Sequence, residues 1–401
     1  MEVDLDRISN LPNEVIDKIL SSLPLKDRAR TSILSSKWRY KFAMLPRLVF
    51  DHQYTCKVVD HVLLSHIGPI SKFQLTQGSK DIKDIDRWIL HLSRHPINEL
   101  ILKFSVRPRY KMPSCMFSCQ DLSHLNLNNC LLKPPSAFKG FRSLQRLIIK
   151  RVTLAQDVLD NMIVCSPLLE RLTLENCDGF RQLKIDAPNL QFLLCIGAFD
   201  DFSIVNTLNL AVVRIRFTNL PVRRSSGNLL NFFANLPQVQ SLHVNWFCLN
   251  YLAASPLLEK LPKPCLHLKV LEIYMSFDGV EHVSTALCLL RSSPALETLN
   301  INAIKCQDQA DVGAVNSWLD NNWSCSVTQL RHVKIQRISG VEAELDFIRF
   351  LLISSPVLET MTVVPDAADE NPHLVVLQNS LDIVKKLLRF RRASPNLEII
   401  Y

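Results

Sequence analysis

The sequence predicts an α/β fold: a short all-α module at the N-terminus, followed by a curved solenoid of parallel short strands and helices. Three observations carry that expectation. A nine-residue pattern, L-x-x-L-x-L-x-x-C, recurs along most of the chain. Segments of helical periodicity that end in Ser-Pro recur between its copies. Before the first copy, residues 11–44 show helical periodicity alone. At 401 residues the chain also exceeds the roughly 250–300 at which a single hydrophobic core stops growing. That leaves several domains, or a core extended one repeat at a time.

The clearest copies are "LSHLNLNNC" (122–130), "LERLTLENC" (169–177) and, with valine last, "LQRLIIKRV" (144–152). Looser copies start at residues 45, 70 and 97 upstream, and at 190, 210, 239, 268, 296, 330 and 358 downstream, giving thirteen in all. Consecutive starts lie 20 to 29 residues apart, except for one gap of 34 before Leu330. This is the spacing of leucine-rich repeats. The pattern has a physical reason. Alternate residues of a strand face one side, so Leu125 and Leu127 point inward and Asn126 outward. The leucine three places earlier turns the chain into the strand. Cys130 and Cys177 then sit inside the following turn, as structural rather than reactive thiols.

The linking segments read as helices. Val158, Met162 and Cys165 lie at i, i+4 and i+7, as do Val283, Leu287 and Leu290, and Val341, Leu345 and Ile348 with Leu352 beyond. Each segment ends in Ser-Pro, and proline bars the residue before it from continuing a helix. The compound unit recurs as "SPLLERL" (166), "SPALETL" (293), "SPVLETM" (355) and, truncated, "SPNLEII" (394). At 255, "SPLLEKL" is followed by prolines, which argues against a strand there.

Outward residues of successive strands line the concave face of such a solenoid. In the middle units they include Arg146, Lys150, Arg171, Glu175, Arg214, Arg216, His243 and Asn245. Two readings stand: a solvated face, or a binding patch for an anionic target in which Arg146, Lys150, Arg171, Arg214, Arg216 and His243 take part. A concave wall of one sign focuses potential.

At the N-terminus, Pro12 suits the first turn of a helix over 13–23, where its missing N–H costs nothing. Val15, Ile16, Ile19, Leu20 and Leu23 cover more than half of that helix's circumference. Pro24 stops it. Helical spacing resumes with Ala29 and Ile33, then Leu34, Trp38 and Phe42. A module this small is marginal alone. Its apolar faces are buried either against the first repeats or against another chain.

Composition excludes several functions. The formal charge, 46 basic minus 38 acidic residues, is +8 and scattered, not the dense run of a nucleic-acid arm. No stretch approaches the 18–20 apolar residues of a membrane span, and "MEVDLDR" lacks the basic start of a secretory signal. A protein of the cell interior is expected, in the nucleus, the cytoplasm or both. The twelve cysteines run from Cys56 to Cys325 without the paired spacing of a zinc site. His91 and His95 stand at i, i+4, but Pro96 follows and no third ligand stands out. With nine glycines there is little material for phosphate loops. No catalytic residue, metal or cofactor is expected, and a metal or thiol enzyme is the least favoured reading.

Residues 11–39, "LPNEVIDKILSSLPLKDRARTSILSSKWR", resemble an F-box, and the flanking "DRISNLP" and "LPRLVFD" are similar to its plant form. Phe42 stands where many plant members have tryptophan. "WSCSVTQLRHVKIQRISGVEAELDFIRFLLISSPVLETMTV" with "LLRFRRASPNLEIIY" resembles the FBD region of plant F-box/leucine-rich-repeat proteins. The resemblance implies an F-box over 1–46, a leucine-rich-repeat solenoid over 47–322, and an FBD region over 323–401 that completes and caps the solenoid. It further implies a non-catalytic substrate receptor, docked through the Skp adaptor to a cullin and holding an unidentified target protein. Carried onto this chain, the adaptor-binding residues would be Leu11, Pro12, Ile16, Ile19, Leu20 and Leu23, with Ile33, Leu34 and Trp38 from the later helices. The alternative is an interaction scaffold whose F-box does not assemble into a ligase. Whether the FBD region binds the target or only caps stays open, as does a small molecule on the concave face.

Overall fold

A computed structural model of the chain describes residues 8, 11–77, 84–105, 107–219, 232–233, 235–253, 259–277, 280–304, 327–366 and 383–401. The sequence-derived boundary at 322/323 and most of the segment at 255–261 lie outside the described residues. The chain divides into two compact units, Met1–Phe180 and Arg181–Tyr401.

The first unit opens with three helices, α1 (Asn13–Ser22), α2 (Leu25–Thr31) and α3 (Ser36–Ala43). Pro12 and Pro24 stand immediately before α1 and α2 with extended ψ, so each proline starts a helix instead of interrupting one. The Ser35 hydroxyl caps α3 by accepting from the Trp38 N–H at 3.4 Å. Helix α3 packs on both α1 and α2. The shared core holds Ile16, Leu20, Leu25 and Trp38, all buried. Arg28 fastens the module to the first strand. Its guanidinium donates to the carbonyls of Leu23 (2.6 Å), Ser21 (3.0 Å) and Arg47 (3.4 Å). The loop after the next helix also closes on the end of α3: Ile67 N–H donates to Ala43 O at 3.0 Å. At Gly68 a Cβ would lie 2.9 Å from the Met44 Cα, so only glycine permits that approach.

The repeats follow: β1 (Arg47–Phe50), α4 (Cys56–Ser65), β2 (Lys72–Gln77), α5 (Ile85–Leu92), β3 (Glu99–Phe104), β4 (Tyr110–Lys111), β5 (His124–Asn128), β6 (Cys130–Leu131), β7 (Arg146–Lys150), α6 (Gln156–Val164) and β8 (Arg171–Glu175). Strands β1, β2, β3, β5, β7 and β8 pair in that order, all parallel. Their register places Leu48, Phe73, Leu100, Leu125, Leu147 and Leu172 in one row. Phe50, Leu75, Leu102, Leu127, Ile149 and Leu174 form the next. No side chain in either row is more than 1% exposed. These rows are the fourth and sixth positions of the nine-residue pattern. Full burial of each such side chain contributes about 1.5–3 kcal/mol.

The second unit continues with β9 (Gln182–Asp186), β10 (Phe192–Gly197), β11 (Asp201–Val205), β12 (Val212–Phe217), β13 (Ser241–Val244), α7 (Trp246–Ala253), β14 (Val270–Met275), α8 (Val280–Arg291), β15 (Thr298–Ala303), β16 (His332–Ile338), α9 (Glu342–Ser354), β17 (Thr360–Pro365) and β18 (Glu398–Ile400). Strands β10 and β12 to β18 pair parallel in chain order. All thirteen predicted copies are strands, and the truncated copy at 394 supplies β18.

The first pattern residue has a backbone role. The N–H of Leu144, Leu169, Leu190, Leu210 and Leu296 each donates to the carbonyl three residues before it, at 3.0–3.2 Å. This turn feeds the chain into the strand and buries the leucine beneath it. The eighth position bears a left-handed backbone. Asn129 (φ 60°), Arg151 (φ 50°), Asn176 (φ 51°) and Arg337 (φ 64°) all occupy it. Asparagine tolerates this region better than β-branched residues. Asn176→Val should therefore cost roughly 1–2 kcal/mol, read as a lowered midpoint in thermal or denaturant unfolding; an unchanged midpoint would contradict this role.

Helices α6, α8 and α9 lie where periodicity placed them. The serines before the prolines close two of these helices by donating to the carbonyl four residues back: Ser166 to Met162 O (2.6 Å), Ser292 to Cys288 O (2.7 Å) and Ser293 to Leu289 O (2.7 Å). Not every linker is helical, however. The gaps of 20–22 residues between copies hold no α-helix among the described residues. Two of them carry β9 and β11, which pair parallel with each other. A strand advances ~3.3 Å per residue against 1.5 Å for a helix, so a short return connection must be extended.

Candidate interaction surfaces

The nine residues singled out in the N-terminal module divide by burial. Ile16, Leu20 and Trp38 are core residues, and their side chains hold the helices together instead of facing outward. The physical reason is the size of the module: α1 is packed by α3, and its innermost pair has no other place to go. Leu11, Ile19 and Leu23 are half-buried, and Pro12 is exposed. Ile33 and Leu34, in the turn between α2 and α3, are 79% and 52% exposed. Lys37 Nζ donates to the Leu11 carbonyl at 2.8 Å, drawing Leu11 and Pro12 to the N-terminal turn of α3, directly after Ile33 and Leu34. Lys41 pairs with Asp17 at 3.0 Å farther along the same two helices. Val15 is likewise exposed, on α1. Sequence reading placed Val15 in the helix without assigning it a role; its offset from the buried Ile16 and Leu20 was the available signal.

On the first unit's strands, Arg47, Lys72, Glu99, His124, Arg146 and Arg171 form one outward row. Lys72 pairs with Glu99 at 2.7 Å. Burial pushes the Glu99 carboxyl up, but the adjacent Lys72 ammonium outweighs this and leaves it below its ordinary value. In the outward row four residues on, Lys150 pairs with Glu175 at 2.5 Å. Lys150 is thus neutralised by its neighbour, whereas Arg146 and Arg171 are exposed at the strand starts.

On the second unit's strands, Arg214, His243 and Glu272 are in register across β12, β13 and β14. Arg214 and Arg216 are exposed, and His243 is only 7% exposed although it lies on the outward face. Arg216 Nε donates to His243 Nε2 at 3.2 Å, and His243 Nδ1 lies 2.9 Å from Glu272 Oε2. The Arg216 guanidinium carbon lies 5.6 Å from the centre of the Tyr274 ring. Asn245 has a different job. Its side-chain oxygen accepts from the Phe217 and Cys248 N–H groups, at 3.0 and 3.2 Å, which caps α7. Glu272 and Tyr274 belong to the site although sequence reading passed over them. Stacking the nine-residue copies places them at the same fifth and seventh positions as Arg214 and Arg216.

The described cysteines are free thiols. Burial pushes Cys130 up to about 12 and Cys177 up to about 11, and the Cys177 thiol donates to the Ile149 carbonyl at 3.4 Å. Thiols so desolvated are poor nucleophiles. The rings of His91 and His95 lie 4.7 Å apart, with His95 beyond the end of α5.

Five histidines, His66, His91, His124, His243 and His282, are pushed below the ordinary histidine value, in each case chiefly by burial. At His243 the Glu272 carboxylate opposes that shift and the arginines reinforce it. At His282, Nδ1 accepts from the Ser276 N–H at 3.4 Å while Nε2 donates to Asn250 Oδ1 at 2.6 Å, which fits only the neutral ring. The folded chain thus disfavours protonation that the unfolded chain accepts near pH 6.5. The associated stability is present above that pH and lost as pH falls below it. A lower unfolding temperature at pH 5.5 than at pH 7.5 is expected; a flat profile over that interval would contradict these assignments.

Stacked parallel repeats, a three-helix N-terminal module and charged side chains in rows on the outward strand faces define a repeat-type α/β protein. The comparisons give the family. Residues 8–50 match the F-box domain, 85–301 match the repeats described as "FBD-associated F-box protein At5g56370, LRR repeats", and 323–363 match FBD. The chain is 36% identical over 418 residues to the F-box/FBD/LRR-repeat protein At1g13570 of Arabidopsis thaliana, covering 99% of this chain and 98% of that one. It is 27% identical to the putative F-box protein At3g58860 of the same plant, covering 96% and 93%. The chain belongs to the plant F-box/FBD/leucine-rich-repeat family, whose members are non-catalytic recognition proteins.

Proposed function

We propose that the protein is the substrate-recognition subunit of a Skp–cullin–F-box ubiquitin ligase. The module of α1 to α3 docks on the Skp adaptor, and through it on a cullin, while the outward face of the repeats holds a target protein. The observation that carries this reading is the exposed apolar set at Pro12, Val15, Ile33 and Leu34, with Leu11 half-buried, on a module of the F-box family. Several large aliphatic side chains exposed on so small a helical unit favour a partner surface. Ile16, Leu20 and Trp38 support that surface from behind. On the same reading, 1–46 forms the docking module, 47–322 the repeats and 323–401 their completion, and the protein acts in the nucleus, the cytoplasm or both. Catalysis then resides in the partners, and the receptor acts by raising the target's local concentration.

Epitope-tagged full-length chain, recovered from plant cells, should bring down both the Skp adaptor and a cullin. Recovery of neither would overturn the proposal. Recovery of the adaptor without a cullin would support a scaffold instead.

A further inference from the structure

Arg216 is held in one orientation before any partner arrives. Its Nε–H bonds to a histidine nitrogen that is itself fixed: Nε2 accepts, so Nδ1 carries the proton toward Glu272. The Tyr274 ring lies under the guanidinium, a geometry in which the cation and the ring face attract. His243 is nine-tenths buried within this arrangement. The terminal nitrogens of Arg216 bond no other described residue, and its side chain is exposed. Side-chain ordering is a large part of the cost of surface ion pairing, and here much of that ordering is already done.

A second guanidinium lies at a fixed interval. Arg214 points from the same face of β12, two residues earlier, and forms no ion pair among the described residues. Residues i and i+2 of a strand are about 6.6–6.8 Å apart. An extended peptide beside β12 presents its own i and i+2 side chains at the same interval. Among the outward residues of β12 to β17 the one carboxylate is Glu272, and His243 engages it. The face is otherwise neutral or basic there, with Lys334 exposed on β16.

We infer that Arg214 and Arg216 form an oxyanion-binding subsite for an extended protein segment with acidic groups at alternate residues, and that His243, Glu272 and Tyr274 position Arg216. The inference rests on the reading that the repeat face holds a protein target, and it names that target's chemistry. Carboxylate and phosphate both fit a guanidinium fork.

The test uses full-length chain and fluorescein-labelled peptides, read by anisotropy at low salt. The probes are Gly-Glu-Ser-Glu-Gly, the same peptide with both glutamates replaced by glutamine, and one with phosphoserine in place of each glutamate. The glutamate peptide should bind and the glutamine peptide should not. Stronger binding of the phosphoserine peptide would assign the subsite to phosphate, and equal or weaker binding to carboxylate. Arg216→Lys keeps the charge but loses the fork, and should weaken binding about tenfold. Glu272→Gln should weaken it and also broaden or shift the Arg216 Nε–H resonance, which a merely structural role would leave in place. Arg331→Gln, an exposed residue paired with Glu359, should bind as wild type does. Equal binding of the glutamate and glutamine peptides, or full binding by Arg216→Lys, would overturn the subsite. Capture of the Skp adaptor by the same preparations keeps the two readings distinct: if adaptor capture persists while peptide binding fails, the subsite falls and the receptor stands.

Discussion

The double substitution Ile33→Asp with Leu34→Asp should abolish capture of the Skp adaptor, lowering affinity at least about a hundredfold, which corresponds to about 2.7 kcal/mol. The unfolding temperature should scarcely move. Both side chains lie in the turn between α2 and α3 and are mostly exposed, so the isolated chain loses little by exchanging them. In a docked complex the same carboxylates would be stripped of water against an apolar partner, a cost of several kcal/mol each unless they are neutralised. Ile16→Asp gives the contrasting result. That position is fully buried, so the module itself should unfold and adaptor binding should be lost along with the structure. Binding assays with purified adaptor, paired with thermal unfolding, separate the two. Retained capture by the Ile33/Leu34 variant would remove those residues from the interface.

The second large effect lies in the repeats. Leu147→Ala should destabilise the chain by about 2–5 kcal/mol, the usual range for a leucine fully buried in a core. Leu147 stands in register between Leu125 and Leu172, so its side chain fills the row linking three successive strands. Arg146→Ala, one residue earlier and exposed, should change stability by no more than about 0.5 kcal/mol. Repeat arrays gain stability from nearest-neighbour interfaces, so a void at Leu147 weakens contacts to both sides. Chemical denaturation of the two variants is sufficient. Equal midpoints would contradict the inward and outward assignment of alternate residues.

That assignment was legible because a strand has a period of two and a nine-residue motif repeats it. Leu125 and Leu127, Leu172 and Leu174 point inward as the spacing requires, and the copies at 144, 169, 190, 210 and 296 begin at a leucine whose N–H closes a turn. The helices at 156–164, 280–291 and 342–354 were equally legible from i, i+4 and i+7 apolar positions with Ser-Pro at the end. The connecting strands β9 and β11 were not. Their alternation is brief, and what extends them is the shortness of the connection, not a residue preference. In the N-terminal module, periodicity marked which residues are apolar but not which were already consumed. Ile16 and Leu20 look the same as Ile19 in the sequence, and only packing by α3 separates them. Asn245 was misread as a face residue because its role as a cap depends on α7 starting at the very next position. The partners of Arg216 escaped notice for a related reason. His243, Glu272 and Tyr274 are far from it along the chain, and only the parallel register of β12, β13 and β14 makes them neighbours.

The proposed function depends most on the N-terminal module docking the Skp adaptor. Size-exclusion chromatography with light scattering, on purified full-length chain mixed with purified adaptor, measures this without any other component. A single peak with the summed mass of one copy of each, absent with the Ile33→Asp/Leu34→Asp variant, is the predicted result. Separate elution of the two proteins at micromolar concentration, from a chain that unfolds cooperatively and is therefore folded, would contradict it.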